Sequence, residues 1–171
     1  IKEMENSVSG DKVTDATLKL LAKPENTDKR FFLWAHYVDA HADYLKHEGG
    51  PNFGSGARDS YDGEIAFVDK QVGRIFDAIA AAPWGARTAI VITSDHGELF
   101  GEHGMWRHGF EVWEKLMRVP LIFHVPGLPP SRIKARRSAI DIVPTLLDLV
   151  GLPKPPHASA ATSNDFVSGV S

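Results

Sequence analysis

Hydrophobic and polar positions along the 171 residues alternate between two kinds of block, one with the period of a strand and one with the period of a helix. Residues 31–38, Phe31-Phe32-Leu33-Trp34-Ala35-His36-Tyr37-Val38, are apolar and aromatic almost without a break, as a strand covered on both faces should be. Ala89-Ile90-Val91-Ile92 repeats that pattern inside an expected strand over 88–93, and 119–125 predicts a third, with Pro120 tolerable near its first residue. Between the first two strands, Tyr61, Ile65, Val68, Val72, Ile75 and Ile79 fall three or four residues apart, one apolar stripe of a helix. Asp62, Glu64, Asp69, Lys70 and Arg74 are expected on its other faces, with Asp59 or Ser60 as cap and Pro83 as stop.

Two further helices are predicted. Val13, Ala16, Leu20 and Leu21 suggest a short one that Pro24 ends; Asp141 opens the other, with Ile142, Leu146, Leu149 and Val150 inward. Pro144 suits its first turn, and Gly151 with Pro153 closes it. Residues 133–139 read as a strand with alternating basic positions, 40–57 and 99–117 as loops, 1–12 as a frayed start and 157–171 as a loose Ala/Ser-rich tail. This order predicts an α/β domain with a mainly parallel sheet flanked by helices, its 31–93 βαβ unit crossing over right-handed.

In such sheets ligands gather outside the carboxyl ends of the strands. Polar clusters stand there: Asp39-Ala40-His41-Ala42-Asp43-Tyr44 after the first strand, and Thr93-Ser94-Asp95-His96-Gly97-Glu98 after the second, followed by His103 and His108. Asp95 and His96 can give an oxygen and a nitrogen to a divalent cation, or serve as a capping and turn pair. Gly97 is expected to let the backbone turn tightly beneath them. His36 and His124, inside apolar runs, read as core histidines.

Composition narrows the chemistry. Without cysteine there is no disulfide framework, no thiolate zinc site and no thiol nucleophile. A formal charge of -3, with Lys134, Arg136 and Arg137 as the densest basic group, argues against nucleic acid. Apolar runs of about five residues argue against a membrane contact by this segment. Ile1 is not an initiator, so the chain is expected to start inside a larger protein or after processing. Phosphate-loop, dinucleotide, nucleophile-elbow and His-Glu-x-x-His motifs are all missing.

Several of these segments, in this order, resemble sulfatases of the alkaline-phosphatase-like superfamily. Residues 31–41 resemble the family's "PFFLWVHYFDPHAPY" segment, with Ala40 and the Ala42-Asp43 pair departing from it. Tyr61-Asp62-Gly63-Glu64-Ile65 with Asp69, Val72 and Gly73 resembles the helix that follows. Ile92 to Glu98 with Phe100-Gly101-Glu102-His103-Gly104 resembles the metal strand and loop. Arg118-Val119-Pro120-Leu121-Ile122, Pro126-Gly127 and Asp141 to Asp148 complete the series.

The resemblance implies an incomplete sulfatase-like catalytic domain over 1–156, with the tail 157–171 outside it. It implies that Asp95 and His96 bind a metal, calcium first, manganese or magnesium otherwise. By the same resemblance His41 touches the sulfate group and the leaving-group oxygen, and His108 contacts the transferred group. It places the remaining ligands and the formylglycine nucleophile, in a Cys- or Ser-x-Pro-x-Arg segment, upstream of these residues. The implied activity is sulfuric ester hydrolysis of a small-molecule or saccharide sulfate, completed by the remainder of the parent domain, in a periplasmic, secreted or membrane-anchored protein. A phosphoryl hydrolase or transferase of the same superfamily, such as a phosphonate monoesterase or phosphoglycerol transferase, and an inactive anion-binding fragment are the alternatives.

Overall fold

Ser9, in extended conformation, opens the first helix, α1 (Gly10–Leu21), in the computed structural model, which describes residues 9–41 and 43–153. The helix begins three residues before its first apolar position, and its inner face is not the expected Val13–Ala16–Leu20 stripe. Gly10, Thr14 and Thr17 are buried, whereas Leu20 is exposed. Small side chains decide this, because α1 lies close against its neighbours. A Cβ at Gly10 would already touch Tyr37, Asp39 and Phe67. Thr14 Oγ1 shares a 2.7 Å hydrogen bond with Tyr37 Oη. A one-turn helix, α2 (Pro24–Thr27), follows with proline at its start, where a missing N–H is harmless.

Helix α3 (Ala57–Ala81) realises the long predicted stripe, ending before Pro83 as expected. Its cap is Gly56, and the Asp59 carboxylate accepts the Gly56 N–H at 2.9 Å from inside the first turn. The stripe is rotated from the expected one: Ile65 is exposed, while Glu64 and Gln71 are buried. Glu64 turns inward because two backbone N–H groups of the preceding loop need its oxygens. Arg74 bridges α3 to α1 through Asp15 at 2.7 Å.

Strand β1 (Ile90–Thr93) pairs antiparallel with β4 (Leu121–His124), Ile90 opposite His124 and Thr93 opposite Leu121. Between them, β2 (Leu99–Phe100) and β3 (Trp106–Arg107) form a second antiparallel pair, and α4 (Glu114–Met117) packs Leu116 inward. The expected loop 99–117 is thus largely ordered. Both ladders among the described residues are antiparallel, and the expected parallel pairing of 31–38 with β1 is not among them. Residues 31–38 keep the period of a strand, with Phe32 80% and Trp34 78% exposed and Leu33 and Ala35 less so, but have no ladder partner among the described residues. His36 is exposed at the even positions with Phe32 and Trp34, and so is His124 against the ring of Phe76; neither is the core histidine expected.

Two compact units, Ile1–Pro126 and Gly127–Ser171, divide the chain. In the second, a 3-10 turn (Ala139–Asp141) leads into α5 (Ile142–Leu149), with Pro144 and Thr145 buried. Gly151, at φ +69°, closes the helix, and the Leu152 N–H returns to the Leu147 carbonyl at 2.8 Å. Residues 133–139 form no strand here, because no ladder partner meets them among the described residues. The expected frayed start lies in part, and the tail 157–171 wholly, outside the described residues. No helix among the described residues is long and apolar enough to cross a membrane.

Candidate active site

The end of β1 sets the site's first two donors. Beyond Thr93 the chain turns, and Ser94 Oγ bonds the His96 carbonyl at 2.8 Å. The His96 N–H donates to Asp95 Oδ1 at 2.9 Å. Burial works to raise the Asp95 carboxyl, but the His96 amide, the His96 ring and the Ser94 hydroxyl outweigh it and hold it below its ordinary value. His96 Nδ1 stands 2.9 Å from the Gly97 carbonyl, an acceptor, so Nδ1 carries a proton and, in the neutral form of the ring, Nε2 has the lone pair. That nitrogen lies 3.7 Å from Asp95 Oδ2. One carboxylate oxygen and one imidazole nitrogen therefore stand side by side at a largely exposed corner.

Gly97 serves this corner by close approach. It is not among the positive-φ glycines, so the expected tight turn is not its reason. Its N–H donates to the Leu116 carbonyl at 2.7 Å, and a Cβ would collide with the carbonyl of Lys115. Gly97→Ala is expected to cost about 1–3 kcal/mol by overpacking against this backbone. Urea denaturation of the variant beside wild type measures it, and an unchanged midpoint would show that α4 yields freely.

Two further imidazoles arrive from separate segments. The His108 ring centroid is 4.2 Å from that of His96 and 5.0 Å from that of His41. Segments that stand 67 positions apart in the chain, from His41 to His108, thus converge. His103 is not brought in: its ring stacks on Trp113 at 3.9 Å.

Three residues not singled out from the sequence hold the cluster. Glu98, its side chain 4% exposed, meets His108 Nδ1 at 3.3 Å through one oxygen. Through the other it accepts the Tyr44 hydroxyl at 2.8 Å. Burial, then the bond to Glu98, pushes the Tyr44 phenol far above its usual range, so it stays a neutral donor. Glu64 accepts the N–H groups of Ala40 and Leu45, at either side of His41. Glu98 stands beside the Asp95–His96 pair, Tyr44 closes the polar cluster after the first apolar run and Glu64 lies in the Tyr61-Asp62-Gly63-Glu64-Ile65 segment, but no role followed from those places alone. Arg107 ties to Asp43 at 2.7 Å on the outer rim.

Residues 2–152 match the family model described as Sulfatase. The chain belongs to the sulfatase family. A sulfatase from Formosa agariphila is 41% identical over 90 residues, 52% of this chain and 17% of the relative. An iduronate 2-sulfatase from Homo sapiens is 33% identical over 126 residues, 58% of this chain and 23% of that one. The sulfatase chain thus matches about a fifth of the length of these relatives. Among solved structures, Ps i-CgsB in complex with k-i-k-neocarrahexaose superposes with a TM-score of 0.74 at 24% identity, over 94% of this chain and 38% of the other. The fold is accordingly the α/β fold of the alkaline-phosphatase-like sulfatases, of which these residues form part.

Among the described residues no group of three or more His, Asp or Glu side chains forms a metal cage. The Asp95–His96 corner still fits a divalent cation as two adjacent donors. The Nδ1 proton directed to the Gly97 carbonyl leaves Nε2 open, and Asp95 Oδ2 stands beside it. A cation such as calcium takes six to eight oxygens, so two donors are a share of a larger ligand set.

Proposed function

We propose that the protein to which these residues contribute hydrolyses sulfuric esters, with sulfated saccharides as the substrate class. The convergence of His41 and His108 on the Asp95–His96 corner, in a chain of this family, carries the reading. The saccharide class rests on the iduronate 2-sulfatase relative and on the oligosaccharide held by Ps i-CgsB.

Sulfuryl transfer spreads negative charge over the nonbridging oxygens and the departing oxygen, so donors aimed there lower the barrier. A divalent cation held by Asp95 and His96, calcium by family resemblance, would supply Lewis-acid stabilisation to sulfate oxygens. His108, its ring fixed by the contact of Nδ1 with Glu98, turns Nε2 to a sulfate oxygen. His41, across from it, donates a proton to the leaving oxygen. The nucleophile implied by the family, a formylglycine, has no Cys- or Ser-x-Pro-x-Arg segment among these residues, and the 171 residues alone are proposed to be inactive.

The full protein is expected to hydrolyse 4-nitrophenyl sulfate faster than 4-nitrophenyl phosphate, to lose that activity on chelation and to regain it with calcium. Faster phosphate cleavage would move the assignment to a phosphoryl hydrolase. Full activity after exhaustive chelation would remove the metal role from Asp95 and His96.

A further inference from the structure

We infer that Glu64, on α3, is a positioning residue for His41: its carboxylate clamps the two ends of the loop that carries the imidazole. This rests on the role proposed for His41 above.

Glu64 is an acidic side chain on α3, yet it is 3% exposed. A carboxylate is costly to bury unless its oxygens are hydrogen-bonded. Here each oxygen has one donor, and both donors belong to the same loop. Oε2 accepts the Ala40 N–H at 2.8 Å and Oε1 the Leu45 N–H at 2.9 Å. His47 Nε2, at the loop's far end, stands 3.8 Å from Oε1, and its ring stacks on Phe67, three residues along α3. The loop is thus laid along the helix from Glu64 to Phe67.

The geometry at Ala40 shows why a clamp is needed. Ala40 has φ +71°, a left-handed conformation that a residue with a Cβ adopts only when its surroundings over-determine it. The charge-assisted bond from its own N–H to Glu64 is such a determinant. Immediately after it comes His41, whose ring faces His108. Tyr44, from the same loop, reaches Glu98, which also holds His108. Glu64 therefore fixes the loop from the helix side while Glu98 fixes it from the other. Burial, opposed by the two amide bonds, leaves the Glu64 carboxyl above its ordinary range, with the Asp39 carboxylate adding to the rise. Gln keeps the size of this side chain but offers one acceptor oxygen for the two N–H groups.

The test uses the full protein with Glu64→Gln, His41→Ala and the double variant, assayed with an alkyl sulfate, whose leaving group needs a proton. Glu64→Gln is expected to lower kcat about 10-fold with little change in KM, since small misplacements of a reacting group are costly. In the His41→Ala background the same substitution is expected to cost nothing further, because the group it positions is gone. An equal loss in both backgrounds, or no loss in either, overturns the inference. Hydrogen–deuterium exchange over 39–45 gives a readout that needs no activity. Slow exchange in wild type, accelerated there by Glu64→Gln while the rest of α3 is unchanged, supports the clamp. Unprotected Ala40 and Leu45 amides in wild type overturn it even where the variant fails to fold. Wild-type protein that cleaves no sulfate ester yet shows the protected loop would refute the proposed function and leave the clamp standing as a support of the loop, overturning only its catalytic purpose.

Discussion

Replacing His108 by alanine in the full protein is expected to lower kcat for sulfate ester hydrolysis by about 100- to 1000-fold, the usual effect of deleting one donor from a charge-stabilising site. The size of the loss follows from where the ring stands. It is the central imidazole of the three, 4.2 Å from His96 and 5.0 Å from His41 between centroids. Its Nδ1 is taken up by Glu98, which leaves Nε2 as the atom available to a sulfate oxygen. Glu98 is buried and bound a second time by Tyr44, so the ring cannot swing away to solvent without leaving a buried carboxylate oxygen unmatched. Alanine removes the donor and also the partner of Glu98. Steady-state kinetics with 4-nitrophenyl sulfate reads the first effect; turnover within a few-fold of wild type would show that His108 does not touch the transferred group.

His41→Ala should behave differently. A general acid matters in proportion to how poor the leaving group is. An alkyl sulfate should lose about 100-fold or more, while 4-nitrophenyl sulfate, whose phenolate departs without help, should lose much less. Plotting log kcat against leaving-group pKa for wild type and variant separates this role from simple anion binding. Parallel lines would assign His41 to binding the sulfate instead. His41 and His108 are near neighbours across the same space, so their effects are not expected to add.

How much of this was legible beforehand differs from element to element, for physical reasons. The three or four residue spacing of Tyr61 to Ile79 located α3, because a long helix shows its period whichever face is buried. It misjudged the face, because aliphatic periodicity assumes that burial means apolar, and Glu64 and Gln71 are buried by hydrogen bonds. The same assumption hid the Gly10–Thr14–Thr17 face of α1. Asp95, His96, His41 and His108 were singled out as hydrophilic residues that follow apolar runs, and the structure does bring the three imidazoles together. Pairing was not legible: the apolar run 31–38 has a strand's period, but a ladder needs a neighbour, and period alone cannot supply one. Gly97 was singled out for the wrong property, since a sequence does not show which backbone passes within reach of a missing Cβ.

The two ties between the 40–45 loop and the 98–108 segment differ in their contact with solvent. The Arg107–Asp43 pair has side chains 61% and 88% exposed, a geometry in which an ion pair is screened by ordinary salt and is worth little. The Tyr44–Glu98 bond ends on a carboxylate sheltered from counterions. Rising ionic strength therefore loosens the outer rim while leaving the histidines in register. A change of salt is thus felt at the mouth of the cluster, above a centre of unaltered shape.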